Sequence, residues 1–131
     1  MITEDYVSFE TTKLLKEKGF EGHSILTIYD ENAANAYIKE LQEKHLPYSS
    51  DDPKLKEFYY TQPTLQMAMK WLREIHNIFI SITYENDGVF TANLKVPLKG
   101  VDCMIDNKHN CWFTYEEAAE ASIKYCLENL I

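Results

Sequence analysis

The sequence predicts an α+β fold, in which an antiparallel sheet of about three to five strands packs against helices. Three observations predict it. Four segments, at 9–18, 31–44, 63–76 and 115–130, have helical apolar spacing or a recognisable start and stop. Residues 78–84 and 89–96 alternate in character around Asn86, Asp87 and Gly88, the pattern of a β-hairpin. The strands follow one another through turns rather than helical crossovers, which favours antiparallel pairing. At 131 residues, the chain is expected to form one domain spanning 1–131. Its 45% hydrophobic and 26% charged residues match an ordinary globular chain and exclude disorder.

The first helix is expected to start after Ser8, whose hydroxyl can take an orphan amide of the first turn. It runs over 9–18 with Leu14 and Leu15 inward. Gly19 follows where helices end in a left-handed residue, and Phe20 can fold back onto Leu15. Residues 24–29 (SILTIY) read as a strand. Asp30 then caps a helix over 31–44 with Ala34, Tyr37, Ile38, Leu41 and His45 on one face. His45 is expected at the helix end, facing the dipole. The stretch LPYSSDDPK (46–54) reads as a loop.

Pro63 suits the first turn of the central helix, 63–76. Leu65, Ala68, Met69, Leu72 and Ile75 form its apolar stripe, with Met67 and Trp71 on a neighbouring face. The hairpin register then follows from side-chain faces. A two-residue turn at Asp87-Gly88 would set Ile82 opposite Asn93. A three-residue turn at 86–88 sets Tyr84 opposite Phe90, Ile82 opposite Ala92, Ile80 opposite Leu94 and Ile78 opposite Val96. Only the second puts the apolar residues on one face, with Gly88 supplying the left-handed conformation. Residues 101–106 (VDCMID) and 111–113 (CWF) read as two short strands. Thr114 and Glu117 form a capping box that opens a helix over 115–130, with Ala119, Ile123, Cys126, Leu127 and Leu130 inward.

Composition narrows function. The net charge is −8, acidic residues are spread along the chain, and Arg73 is the one arginine. Phosphate backbones and anionic membranes are held by clustered Lys and Arg, so neither nucleic acid nor membrane is an expected partner. No apolar run approaches the ~18 residues of a membrane helix. Cys103, Cys111 and Cys126 are odd in number and irregular in spacing, and the start MITEDYVSFE lacks a basic, apolar leader. Both point to a reducing cytoplasm. Gly19, Gly22, Gly88 and Gly100 are not spaced as a dinucleotide or P-loop fingerprint, and no G-x-S-x-G or H-E-x-x-H is present. No cofactor is expected.

Three constellations remain. Cys103, His109 and Cys111 carry zinc-preferring atoms, but C-x5-H-x-C is no zinc pattern, so buried or structural cysteines are the simpler reading. Trp71, Arg73 and His76 cluster at the end of the central helix, where an arginine could hold one carboxylate or phosphate. His76 is expected to be protonated there by the helix C-terminus. Finally, 13% of the chain is aromatic. Tyr48, Phe58, Tyr59 and Tyr60 flank the loop, and Trp112, Phe113 and Tyr115 lead into the last helix. Tyr and Trp anchor protein interfaces, and they also fill small cores.

The segments PTLQMAMKWLREIHNIFISI (63–82), with Trp71, Leu72, Arg73 and Glu74, and YEEAAEASIKYCLENLI (115–131), with Tyr115, Glu116, Glu117 and Ala118, resemble small uncharacterised proteins of gut Bacteroidales and their phages and mobile elements. The opening YVSFETTKLLKEKGF (6–20) is similar to their N-terminal helix, whereas 21–60 looks private to this chain. The resemblance implies a shared fold and a phage or mobile-element setting, and carries no activity or catalytic residue. The leading expectation is a non-enzymatic protein that binds another protein, or a second copy of itself, through aromatic surface near residues 48–60, Tyr59 and Tyr60 included, or on the flank of the central helix. The alternative is a small-molecule or nucleotide-derivative binder, or a minor enzyme, with a pocket at Trp71, Arg73 and His76.

Overall fold

Each helix starts where a side-chain oxygen meets an orphan amide. In the computed structural model, which describes residues 4–22, 26–49, 51–105 and 111–131, Ser8 accepts from the Thr11 amide and opens α1 (Phe9–Glu17). Asp30 accepts from Ala33 and opens α2 (Glu31–Glu43). Thr114 accepts from Glu117 and opens α5 (Tyr115–Asn129). At the other end of α1, Phe20 N–H reaches the Leu15 carbonyl at 2.9 Å, with Gly19 at φ 92°. That is the left-handed termination the sequence implies.

The chain is α+β, with its strands in two antiparallel sheets rather than one. The three-stranded sheet has the order β3 (Phe79–Tyr84), β4 (Phe90–Val96), β5 (Val101–Met104). Its hairpin pairs Tyr84 with Phe90, Ile82 with Ala92 and Ile80 with Leu94, as one-sided burial requires. Gly88 sits at φ 75° in the three-residue turn. The inner row of β4 is sealed: Ala92, Leu94 and Val96 are buried against Ala119, Ile123 and Leu127 of α5. The second sheet joins β1 (Thr27–Tyr29) to β2 (Tyr59–Thr61). Ser24 and Ile25 of the expected first strand lie outside the described residues.

Several elements differ from the sequence expectation. The described part of the stretch read as loop, 46–54, is free of helix and strand up to Asp52, but its end enters a short helix, α3 (Pro53–Lys56), capped by Asp52, and β2 follows it. Residues 111–113 are no strand; Trp112 makes a single bridge to Phe90. Asp106 lies outside the described residues. Pro63 lies before the central helix rather than in its first turn. The cap of α4 (Leu65–His76) is Thr64, and the buried Pro63 gives its carbonyl to the Val7 amide. His45 turns left-handed just beyond α2 and stays exposed.

The apolar stripe of α4 also stops earlier than its periodicity suggests. Leu65, Ala68, Met69 and Leu72 are buried, but Ile75 is 65% exposed. Asn77 at φ 55° ends the helix, donates to the Leu72 carbonyl and turns the chain into β3, which leaves the last turn's flank at Ile75 largely uncovered by the described residues. Leu72 has no exposed surface and sits in the core shared by α1, α4, α5 and the three-stranded sheet. Leu72→Ala should therefore lower unfolding free energy in urea by about 2–5 kcal/mol. Ile75→Ala should cost less than about 1 kcal/mol. Equal losses at both positions would contradict this burial pattern.

Candidate interaction surface

The small sheet is built on α1. Register pairs Thr27 with Thr61, Ile28 with Tyr60 and Tyr29 with Tyr59. Alternation sends Ile28 and Tyr60 inward and leaves Thr27, Tyr29, Tyr59 and Thr61 exposed. Tyr60 meets the Phe9 ring edge-on at 5.7 Å, with the Lys16 ammonium 4.5 Å from its centre. Lys16 also donates to the carbonyls of Glu57 (2.9 Å) and Tyr59 (3.1 Å). Lys13 closes the far side, pairing with Asp30 at 2.8 Å. The hydrogen bond to Asp30 raises the Lys13 pKa, and the bond from Lys13, with that from the Ala33 amide, lowers that of Asp30.

On the outward side, the Tyr29 and Tyr59 rings stack at 4.5 Å with 30° between planes. They are 39% and 51% exposed. Beside them a cleft of about 320 Å³ is lined by Lys16, Phe20, Glu21, Gly22, Tyr59 and Thr61. Of the tyrosines singled out from sequence, Tyr59 is therefore presented to solvent and Tyr60 is used to attach the sheet to α1. Tyr29 was missed. Its signal was the Thr-x-Tyr alternation at 27–29, which becomes legible only once β1 is paired with β2.

The cluster at the end of α4 is arranged differently. Trp71 is gripped by two rings, with Phe20 edge-on at 5.5 Å and His76 at 4.6 Å. Arg73 is exposed on another face of the helix. The cleft beside Tyr59 and the cavities at Leu65, Tyr115 and Trp112 are lined by none of these three residues. His76 also departs from the expected charged state. Burial, aided by Lys99, lowers its pKa below the ordinary value, and its Nε2 is buried without a hydrogen-bond partner. Desolvation of the imidazolium is the larger cause, and the Lys99 charge acts in the same direction.

A cavity of about 590 Å³ lies at the opposite end of α4. Leu65, Trp112, Tyr6 and Ala121 line it together with Asp5, Glu116, Glu117 and Glu120. Those carboxylates suit a cation and not the anion that Arg73 was expected to hold. Glu120 is already engaged, its Oε1 accepting from the Ser8 amide (3.1 Å) and the Thr11 hydroxyl (2.6 Å). Of the cysteine group, Cys103 is exposed on β5 and Cys111 is half-buried. His109 lies outside the described residues. Among the described residues no three His, Cys, Asp or Glu side chains gather as metal ligands. Cys126 is in the core, its thiol pushed up to about 12 chiefly by burial. No helix among the described residues is long and apolar enough to cross a membrane.

Comparison with protein-family models, with curated proteins and with solved structures finds no match to this chain.

The His76 environment has a pH consequence. A histidine whose folded pKa is depressed below its unfolded value of about 6.5 favours the folded state above that value, and this contribution is lost as pH falls through the window below it. Urea unfolding at about pH 7.5 and about pH 5.5 should show His76→Gln losing less stability on acidification than the parent chain. A steeper loss in the variant would mean that His76 is held charged.

Proposed function

We propose that this chain is a non-enzymatic protein-interaction module that docks a partner on the outward face of the β1–β2 sheet. One observation carries the reading: Tyr29 and Tyr59 form a stacked, solvent-facing pair on a sheet tied to α1. Exposed tyrosines that are already ordered lose little conformational entropy on binding, and tyrosine is over-represented among residues that dominate interface energy. The adjoining cleft adds a recess beside Tyr59, lined also by Phe20, Glu21 and Thr61. The net charge of −8 supports a protein partner over nucleic acid or an anionic membrane.

The cysteine usage supports a reducing cytoplasm as the setting, and the resemblance to phage and mobile-element proteins supports an accessory role there. The rival reading, an anion-binding pocket at Trp71, Arg73 and His76, has less support, because Trp71 and His76 are occupied with each other and Arg73 stands apart.

The test is affinity capture from host lysate with the parent chain and a Tyr29→Ala/Tyr59→Ala variant. A partner held by the parent should be lost by the variant, which should cost about 2 kcal/mol or more of binding. The variant's thermal midpoint should stay close to the parent's, because neither ring is part of the buried core. Equal retention by the two proteins, or recovery of no partner by either, would count against the reading.

A further inference from the structure

We propose that the free edge of β3 is a self-association surface, joining two copies of this chain into one continuous six-stranded antiparallel sheet. The inference does not rest on the tyrosine face, which belongs to the other sheet. It starts from which backbone groups β3 leaves open. Phe90 exchanges both of its backbone hydrogen bonds with Trp112, at 2.7 and 2.8 Å, so its polar groups face away from β3. The Ala92 carbonyl likewise accepts from Ile105 at 2.9 Å, away from β3. Their partners Tyr84 and Ile82 must therefore face away from β4, and by alternation so must Ile80. Among the described residues, β3 pairs only with β4. Three amides and three carbonyls thus stand along an open edge.

This edge lacks the usual protections. Its sequence is Phe79, Ile80, Ser81, Ile82, Thr83, Tyr84: no charge, no proline, no glycine and no bulge, in a chain that is 26% charged. Natural edges are blunted by such features when pairing must be avoided. Burial adds an independent sign. Ala92, Leu94 and Val96 on β4 are sealed, but Ile80 and Ile82 on the same face are only half-buried, and Tyr84 is 61% exposed. Among the described residues, the inner row lacks a neighbouring strand on its outer flank.

A second copy fits this edge by symmetry. A two-fold axis through Ile82 pairs Ile82 with Ile82 of the second copy and Ile80 with its Tyr84, so that all the open amides and carbonyls find partners. Sliding the register so that Tyr84 meets Ile78 fails, because the Ile78 amide is already bonded to the Leu72 carbonyl. On the outer face the same axis sets Ser81 opposite Thr83 of the second copy. It places Glu85 opposite Phe79 rather than another carboxylate, so no like charges are aligned despite the net charge of −8. Each copy contributes a strand about 20 Å long. A contact of one such strand a side belongs with the small interfaces, below about 1,200 Å², which implies a reversible dimer.

Sedimentation velocity of the full chain from about 5 to about 500 μM tests this, with two variants at exposed outer-face positions that should leave the fold intact. Ser81→Lys/Thr83→Lys sets like charges opposite each other twice across the axis and should weaken the dimer about tenfold. Ser81→Lys/Thr83→Glu sets opposite charges there and should tighten it by a similar factor. Circular dichroism confirms folding of both. A parent chain that stays monomeric throughout, or a dimer that responds alike to both variants, would overturn the proposal.

Discussion

The structure depends on one row of side chains. Ala92, Leu94 and Val96 project from a single face of β4 and are sealed from water by α5. Their alternation allows one register with β3, because a shift of one residue would turn the row to solvent and bring polar Asn93 and Lys95 into the core. The covering helix answers with small residues, Ala118, Ala119 and Ser122, beside larger Ile123 and Leu127. Close packing of this kind contributes most of the stability of a chain this size.

Helix α1 is the second organiser. One side engages α5, through the Thr11 hydroxyl on Glu120 and Glu10 with Lys124 at 2.9 Å. Its other side holds the small sheet, through Phe9 on Tyr60 and Lys16 on the carbonyls of Glu57 and Tyr59. The tyrosine face is therefore carried by the core without being part of it. Substitutions on that face can change what it contacts at little cost to the packed interior. The packed scaffold and the exposed surface are in that sense separate.

What was legible in the sequence was local. Ser8, Asp30 and Thr114 cap the helices that follow them, and the turn at 86–88 sets the hairpin, because each signal acts within a few residues. What was not legible depends on distant partners. Strand β2 has three residues, and its partner β1 lies some thirty residues earlier, so YYT shows no alternation of its own. Ile75 fits the helical stripe, and only the chain reversal at Asn77 explains its exposure. His76 looked charged because the helix dipole is a local cue, whereas burial and Lys99 are tertiary ones. The candidate site was half visible for the same reason: Tyr59 stood out in an aromatic cluster, but its stacking partner Tyr29 did not.

The central claim, that one-sided burial sets the hairpin register and thereby the fold, is tested most directly by nuclear Overhauser contacts between α-protons. Those protons approach closely only at non-hydrogen-bonded antiparallel pairs. Strong contacts between Ile82 and Ala92 and between Ile80 and Leu94 are expected. Contacts from Ile82 to Asn93 instead would contradict the account, because they would put the apolar row on the wrong side of the sheet.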